Sequence, residues 1–530
     1  MTLDAFVWLV VLPLAASPFI YLAGRLFAVV AVWEHASLPP HAQPSGGTVT
    51  LAWPRSTAGT IRQVNYARWS AVITLILMWI AFGFTAYQFS AQGVESVHVG
   101  MVTLRFDGLS LLLSATVVTL STFVILFSGV SMAGEVGEEK YYALLLTMTG
   151  SMIGLACAGD LFNLWVWFEL MAVSSYLLVA FYREQAASLE AGVKYLVQSA
   201  VGSALILLGI ALVLAQTGSL AFDQIRLASD GAGVLLAAGA LFLIGFGVKI
   251  AIVPMHTWLP DAHAHAPSGI SAILSGVVIE AGLVALLRAL GSMAGAAPSW
   301  GTLLMTFGVL NMCVGNLMAL RQTQVKRLLA FSSVAQIGYM LLGLGIGIGM
   351  GQPDGAQGGL FHLLTHSLMK GLAFLAAGGM MYALFVARGD HHRTLTTADL
   401  AGAAQRYPIT AFAFSVAVLG LGGLPPLAGF MSKWQIFTAG FETQNAVVEV
   451  LVVIAALNSV LSLAYYAPLV NLLYRKEPSE AVRAGEPMPI TIYVPLAVMA
   501  VVIVVIGVSP SLVNWLTGPA GAAVMTAFGH

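Results

Sequence analysis

Long apolar runs, separated by short polar segments, set the rhythm of this chain. A helix needs about 20 apolar residues to cross the hydrocarbon core of a bilayer. Runs of that order lie near 5–33, 68–91, 107–132, 139–158, 161–182, 190–215, 233–258, 268–293, 301–320, 327–349, 358–387, 406–441, 447–474 and 489–516. The pattern predicts fourteen transmembrane helices and an all-α polytopic membrane fold, with the pair around Asp160 also legible as one bent unit. The stretch Phe6–Trp33 lacks a basic n-region and a small-residue cleavage site, so it reads as a retained first span.

Composition sharpens this picture. The 530 residues are 59% hydrophobic and 8% charged, whereas soluble domains carry roughly 25% charged residues. Lipid must therefore be most of the solvent. A net charge of −1 and the lack of a basic tract argue against a nucleic-acid partner. Charge placement also checks the helix count. Fifteen Lys and Arg, Arg55 and Arg62 among them, fall in loops that follow odd-numbered helices. Only Arg105, Arg226 and Arg288 fall toward the other side. Under the positive-inside rule this puts both termini on the outer side of a cell inner (plasma) membrane.

Two of the predicted helices are interrupted. Helix 7 runs through Lys249 to Pro254 and Pro260; helix 12 meets Gly422–Gly423–Leu424–Pro425–Pro426 before resuming toward Lys433. Proline removes a backbone donor and frees carbonyls, which membranes tolerate only inside protein or beside a wet cavity. Paired broken helices point to an inverted-repeat transporter. The expected division is 1–138 (helices 1–3), 139–293 (first repeat, helices 4–8), 301–475 (second repeat, helices 9–13) and 476–530 (helix 14).

Ionisable residues inside the spans carry the chemistry. Glu169, Lys249, Glu280, Lys370 and Lys433 all sit in apolar surroundings. Each charge costs roughly 2.5–3.5 kcal/mol at mid-bilayer on insertion scales. Static ion pairs are the plain alternative, yet buried pairs stabilise poorly against apolar replacements. His362, His366 and Lys370, spaced i, i+4, i+8, share one face of helix 11 and suit a proton relay. Lys194 either pairs with Glu190 at the interface or dips inward to Glu169, and Asp160 is expected to cap a helix. His256, Asp261, His263 and His265 follow the first break and read as a cavity-lining loop, since their spacing fits no common zinc motif. Cys157 and Cys313 read as small apolar residues, and no iron–sulfur, dinucleotide or Walker A motif occurs. No cofactor or metal on this chain is expected.

Several stretches are recognisable together. Gly159–Asp160–Leu161–Phe162–Asn163 leading to Glu169, Val193–Lys194–Tyr195, Lys249 with Pro254–Met255–His256–Thr257–Trp258–Leu259–Pro260–Asp261, His362 through Lys370, and Gly423–Leu424–Pro425–Pro426 to Lys433 resemble the antiporter-like subunits of respiratory complex I. The same superfamily includes Mrp-type sodium/proton antiporters and the membrane arms of energy-converting hydrogenases. The resemblance covers roughly residues 100–475. It implies fourteen helices with two inverted five-helix repeats and a non-redox subunit that moves protons or sodium within a larger membrane complex. It implies partners too: other membrane subunits and a peripheral redox module, or the small subunits of an Mrp-type exchanger. It makes Glu169 and Lys249 the charge pair, His362, His366 and Lys370 the central relay, and Lys433 the exit cation. The family commonly keeps lysine where this chain has Glu280. That acid is expected either to alter ion preference or to pair with Lys249 or His256.

Overall fold

The computed structural model describes residues 4–36, 66–99, 102–229, 233–297, 299–390 and 393–530; Arg55 and Arg62 lie outside them. The apolar runs become α1 (Ala5–Ala36), α2 (Tyr66–Gln92), α3 (Gly108–Ser131), α4 (Glu138–Ala156), α5 (Leu161–Val179), α6 (Ala186–Thr217) and the halves α7a (Gly233–Ile250) and α7b (Trp258–His265). Then follow α8 (Ser268–Ser292), α9 (Trp300–Ala319), α10 (Val325–Met350) and α11 (Pro353–Leu384). The chain closes with the halves α12a (Pro408–Gly422) and α12b (Ala428–Glu442), then α13 (Ala446–Leu473), α14 (Ile490–Val508) and α15 (Asn514–Ala527). Among the described residues, 12 helices are long and apolar enough to cross a membrane unaided. The expected helices 4 and 12 complete the fourteen as the more polar α4 and the two halves of α12. Asp160 separates α4 from α5 and caps α5 by accepting the Asn163 N–H at 2.7 Å.

The two breaks follow from local chemistry. In the first, α7a stops at Ile250, one residue after Lys249, and Ala251 adopts φ +61°. Asn311 of α9 repairs the open backbone, accepting from Val253 N at 2.9 Å and donating to the Ala251 carbonyl at 3.3 Å. In the second, Gly423 takes φ +82°, which only glycine adopts without strain, and Ser459 donates to the Gly422 carbonyl at 3.0 Å. Every buried backbone group at membrane depth needs such a partner.

Packing sorts the helices by polarity. The apolar windows of α8 and α10 are wholly buried, and that of α11 is 83% buried, while that of α13, at 28%, lies mostly on the outside of the bundle. The helices that carry Glu280, Lys370 and the two relay histidines are thus the ones shielded by the rest. α9 and α10 approach closely where Gly308 meets Gly338, a contact that leaves no room for a side chain. One turn of α8, Leu274–Val278, is a wide π turn just before Glu280, a feature often found at functional positions.

Two features were not anticipated. A hairpin of β1 (Glu95–Val99) and β2 (Val102–Phe106) precedes α3, with Val97 opposite Leu104. It lies at the same end as the loops after α4 and α6, through the bridges Leu104–Ala158 and Asp160–Ala221. At that end Asp107 caps α3 and accepts two hydrogen bonds from Arg288 of α8, at 2.9 and 3.1 Å. The second unexpected element is α15, where Gly518, Pro519 and Gly521 hide a short helix behind turn-like residues.

Candidate functional site

Lys249 lies in the last turn of α7a and is 1% exposed. Its ammonium group donates to Tyr195 Oη at 2.5 Å and Ser175 Oγ at 3.0 Å, and lies 4.6 Å from the centre of the Tyr195 ring. Tyr195 is held in turn by a 3.8 Å stack on Trp258, whose indole donates to the Val248 carbonyl across the break. The expected contact between Glu169 and Lys249 is absent from the ion pairs of the described residues. Glu169 keeps one buried carboxylate oxygen without a partner and acts on Lys249 through space. Hydroxyls hold this lysine, and the carboxylate waits beside it.

Lys194 resolves to the interfacial reading. It is half-exposed and pairs with Glu190 at 2.8 Å and Asp261 at 3.1 Å, away from Glu169. Asp261 also accepts from Arg327 and so ties α6, α7b and α10 together at that end. His256 packs its ring 6.3 Å from that of Phe331. His263 stacks on Phe374 with both ring nitrogens unpartnered. Among the described residues no three His, Cys, Asp or Glu groups converge as metal ligands would.

Glu280 meets neither Lys249 nor His256. Its carboxylate lies 2.8 Å from His366 Nδ1, and both side chains are wholly buried. The reason is position: Glu280 follows the π turn of α8 and faces α11, while Lys249 packs its stem against Gly282, two residues further on. Glu280 Oε2 and His366 Nε2 have no protein partner. The His366 ring centre is 6.3 Å from that of His362. From His362 the contacts are continuous. Its Nε2 is 3.0 Å from Gln336 Oε1, Gln336 donates to the Leu421 carbonyl at 3.0 Å, and Lys433 donates to the same carbonyl at 2.8 Å. Ser432 buttresses His362 Nδ1 at 2.9 Å. Lys433 also reaches Ser459 Oγ at 3.0 Å and lies 4.3 Å from the Tyr339 ring centre.

Lys370 shares the stripe with the two histidines but turns elsewhere. It donates to the Leu329 carbonyl at 2.6 Å and to Ser332 Oγ, and does not hydrogen-bond His366 or Lys433. It is a branch of the line, not a link in it.

Sequence reading passed over three residues here. Gln336 is a lone buried amide within the apolar run of α10, and the test applied to charges in lipid would have found it, because an unpaired amide is also costly there. Lys326 was counted with the loop cations, yet it is 6% exposed and donates to the Ala266 carbonyl at 2.7 Å. Tyr195 was noted only as part of a motif.

Comparisons with known proteins agree with this architecture. The family described as "NADH:quinone oxidoreductase/Mrp antiporter, TM" matches residues 158–461, more than half of the chain. NADH-quinone oxidoreductase subunit N of Desulforamulus reducens is 31% identical over 445 residues, which is 82% of this chain and 88% of that one. Among solved structures, a chain of the membrane-bound sulfane sulfur reductase, an archaeal respiratory membrane complex, superposes with a TM-score of 0.82 at 26% identity, covering 99% of both chains. A chain of the Mrp complex from Dietzia sp. has the same fold, with a TM-score of 0.80, 22% identity and full coverage of both. The protein belongs to the NADH:quinone oxidoreductase/Mrp antiporter family and is one of its antiporter-like, multi-pass membrane subunits.

Proposed function

We propose that this subunit carries protons across the membrane along a lateral line from Lys249 through Glu280, His366, His362 and Gln336 to Lys433, driven by a redox module on partner chains. The observation that carries the reading is the run of buried contacts from His362 through Gln336 and the Leu421 carbonyl to Lys433, beside the Glu280–His366 pair. Ionisable residues within a membrane are costly and rare, and they commonly mark proton or ion pathways.

The transfer begins at Lys249. Attraction from Glu169 favours its charged form and burial disfavours it, so movement of Glu169 sets whether Lys249 keeps its proton. The proton passes to the Glu280–His366 pair, crosses to His362 by ring rotation or bridging water, and reaches Lys433 at the second break. Glu280 puts an acid where a base is usual, and a proton taken up by the Glu280–His366 pair either neutralises the carboxylate or leaves an imidazolium facing it, so no two like charges gather.

The redox-driven reading is supported by relatives named for redox enzymes, the NADH-quinone oxidoreductase subunit N of Desulforamulus reducens and the F(420)H(2) dehydrogenase subunit N of Methanosarcina mazei. In it the redox centres sit on other chains and this one binds no cofactor. Residues 139–293 and 301–475 act as two inverted repeats around the breaks, in a cell inner membrane with both termini outside. The alternative is an Mrp-type sodium/proton exchanger, which the family's description names beside the oxidoreductase. Purification from native membranes separates the two. Co-purification with iron–sulfur or flavin subunits and proton ejection coupled to quinone reduction is the expected result; small membrane subunits only, with sodium-stimulated proton flux, would replace the redox reading by the exchanger.

A further inference from the structure

A second site lies apart from the buried line, at the end of the bundle that carries the hairpin. There a cavity of about 330 Å³ opens between β2, α3, the short helix Phe222–Leu227, the end of α8 and α15. Three arginines line it: Arg105, Arg226 and Arg288. They are the three cations that the loop pattern leaves on this side, so residues distant in sequence have been gathered at one place. The remaining wall is mostly apolar, with Phe222 from the short helix and Phe528 following α15.

The charges do not cancel. Asp107, which also lines the cavity, is taken up by Arg288 at 2.9 Å, and Asp223 pairs with Arg105 at 3.2 Å. Among the described residues no carboxylate forms an ion pair with Arg226. The Nε–H groups of all three arginines are shielded from solvent and find no acceptor. Three guanidinium groups against two carboxylates leave one positive charge in a recess with apolar walls. That charge repels a transported cation, which argues against an exit vestibule, and it attracts an anion offering several acceptor oxygens. The volume falls within the range of small-molecule sites, and a planar guanidinium matches the oxygens of a phosphate group.

We propose that this cavity binds a phosphate group, with Arg226 as the principal donor, and that its apolar walls favour a phosphate carried on an acyl chain, as in an anionic phospholipid. Bound there, the lipid would fasten α15 and the hairpin to the end of α8.

The test is native mass spectrometry of the full-length chain, purified in mild detergent and stripped of lipid. It is titrated with phosphatidylglycerol, with phosphatidylcholine or with inorganic phosphate. The expected result is one phosphatidylglycerol retained per chain, preferred over phosphatidylcholine. In Arg226→Gln the apparent affinity should fall roughly tenfold or more, while Arg226→Lys keeps most of it. The thermal midpoint of each lipid-free variant, compared with that of the wild type, shows that the fold survives. Equal retention by Arg226→Gln and wild type, or equal retention of the two lipids, overturns the proposal. Displacement of the lipid by equimolar inorganic phosphate overturns its lipid part. Should Arg226→Gln fail to fold, that competition in the wild-type chain decides the matter.

Discussion

Replacing Gln336 by leucine removes the single side chain that joins His362 to the Leu421 carbonyl, while nearly keeping the volume. Gln336 is wholly buried, with its oxygen 3.0 Å from His362 Nε2 and its amide donating at 3.0 Å to Leu421. The carbonyl keeps a partner, because Lys433 still donates to it at 2.8 Å. His362 keeps Ser432 on Nδ1 but loses its partner on Nε2. A stranded buried polar nitrogen costs about 1–3 kcal/mol. Entered wholly into the transfer barrier, that is a slowing of about 5- to 150-fold at 1.36 kcal/mol per decade. The assay is proton uptake by proteoliposomes that contain the purified complex, followed with an internal pH dye and divided by substrate turnover. Thermal unfolding and subunit composition show whether the variant is intact. A Gln336→Leu complex that assembles normally and moves protons at the wild-type rate refutes the route.

Three further outcomes follow from other contacts. Tyr195→Phe removes the 2.5 Å acceptor of Lys249 but keeps the stack on Trp258 and the Ser175 acceptor; thermal stability should fall by about 1–3 kcal/mol, while the same dye assay shows transport slowed about tenfold. Gly423→Ala forces a side chain into φ +82° and brings Cβ to 3.0 Å from Ser459 Oγ. It should cost about 1–2 kcal/mol, seen as a lower unfolding midpoint, and should disturb the Lys433–Ser459 contact. Asp107→Ala leaves the Arg288 guanidinium, whose side chain is 7% exposed, with Ser110 Oγ and the Ala156 carbonyl but no carboxylate, at a cost of about 3–5 kcal/mol, and the double variant Asp107→Ala/Arg288→Met should recover much of it. The same pair sets an acid limit. Burial alone would raise the Asp107 carboxyl, but Arg288 outweighs it and holds the group below the usual carboxylate range. The stabilisation is therefore complete above the ordinary carboxylate range and disappears as pH falls through the depressed value. Unfolding midpoints measured against pH should show that loss in the wild type and lack it in Asp107→Ala.

Much of the fold was legible because lipid imposes a length rule, and the helices and both breaks appear where the apolar runs and prolines put them. The hairpin was not, since two five-residue strands give too few alternations to stand out from a linker. In the site, the unusual residues announced themselves but their partners did not. Glu280 is conspicuous as a charge in lipid, yet its pairing with His366 depends on the π turn ahead of it. Lys370 stood on the right helical face, but a neighbouring carbonyl of α10 competes for its ammonium group. Lys194 was correctly open between two readings, because only the placement of Asp261 on α7b decides it. Gln336 escaped notice for want of a formal charge.

Coupled proton transport by Glu280→Gln and Lys433→Met, measured in proteoliposomes of the purified complex against substrate turnover, tests the lateral line at its centre and its end. Both variants should assemble with their partners, and each should lose most of the protons moved per turnover. Wild-type proton yield in either intact variant would contradict the lateral line.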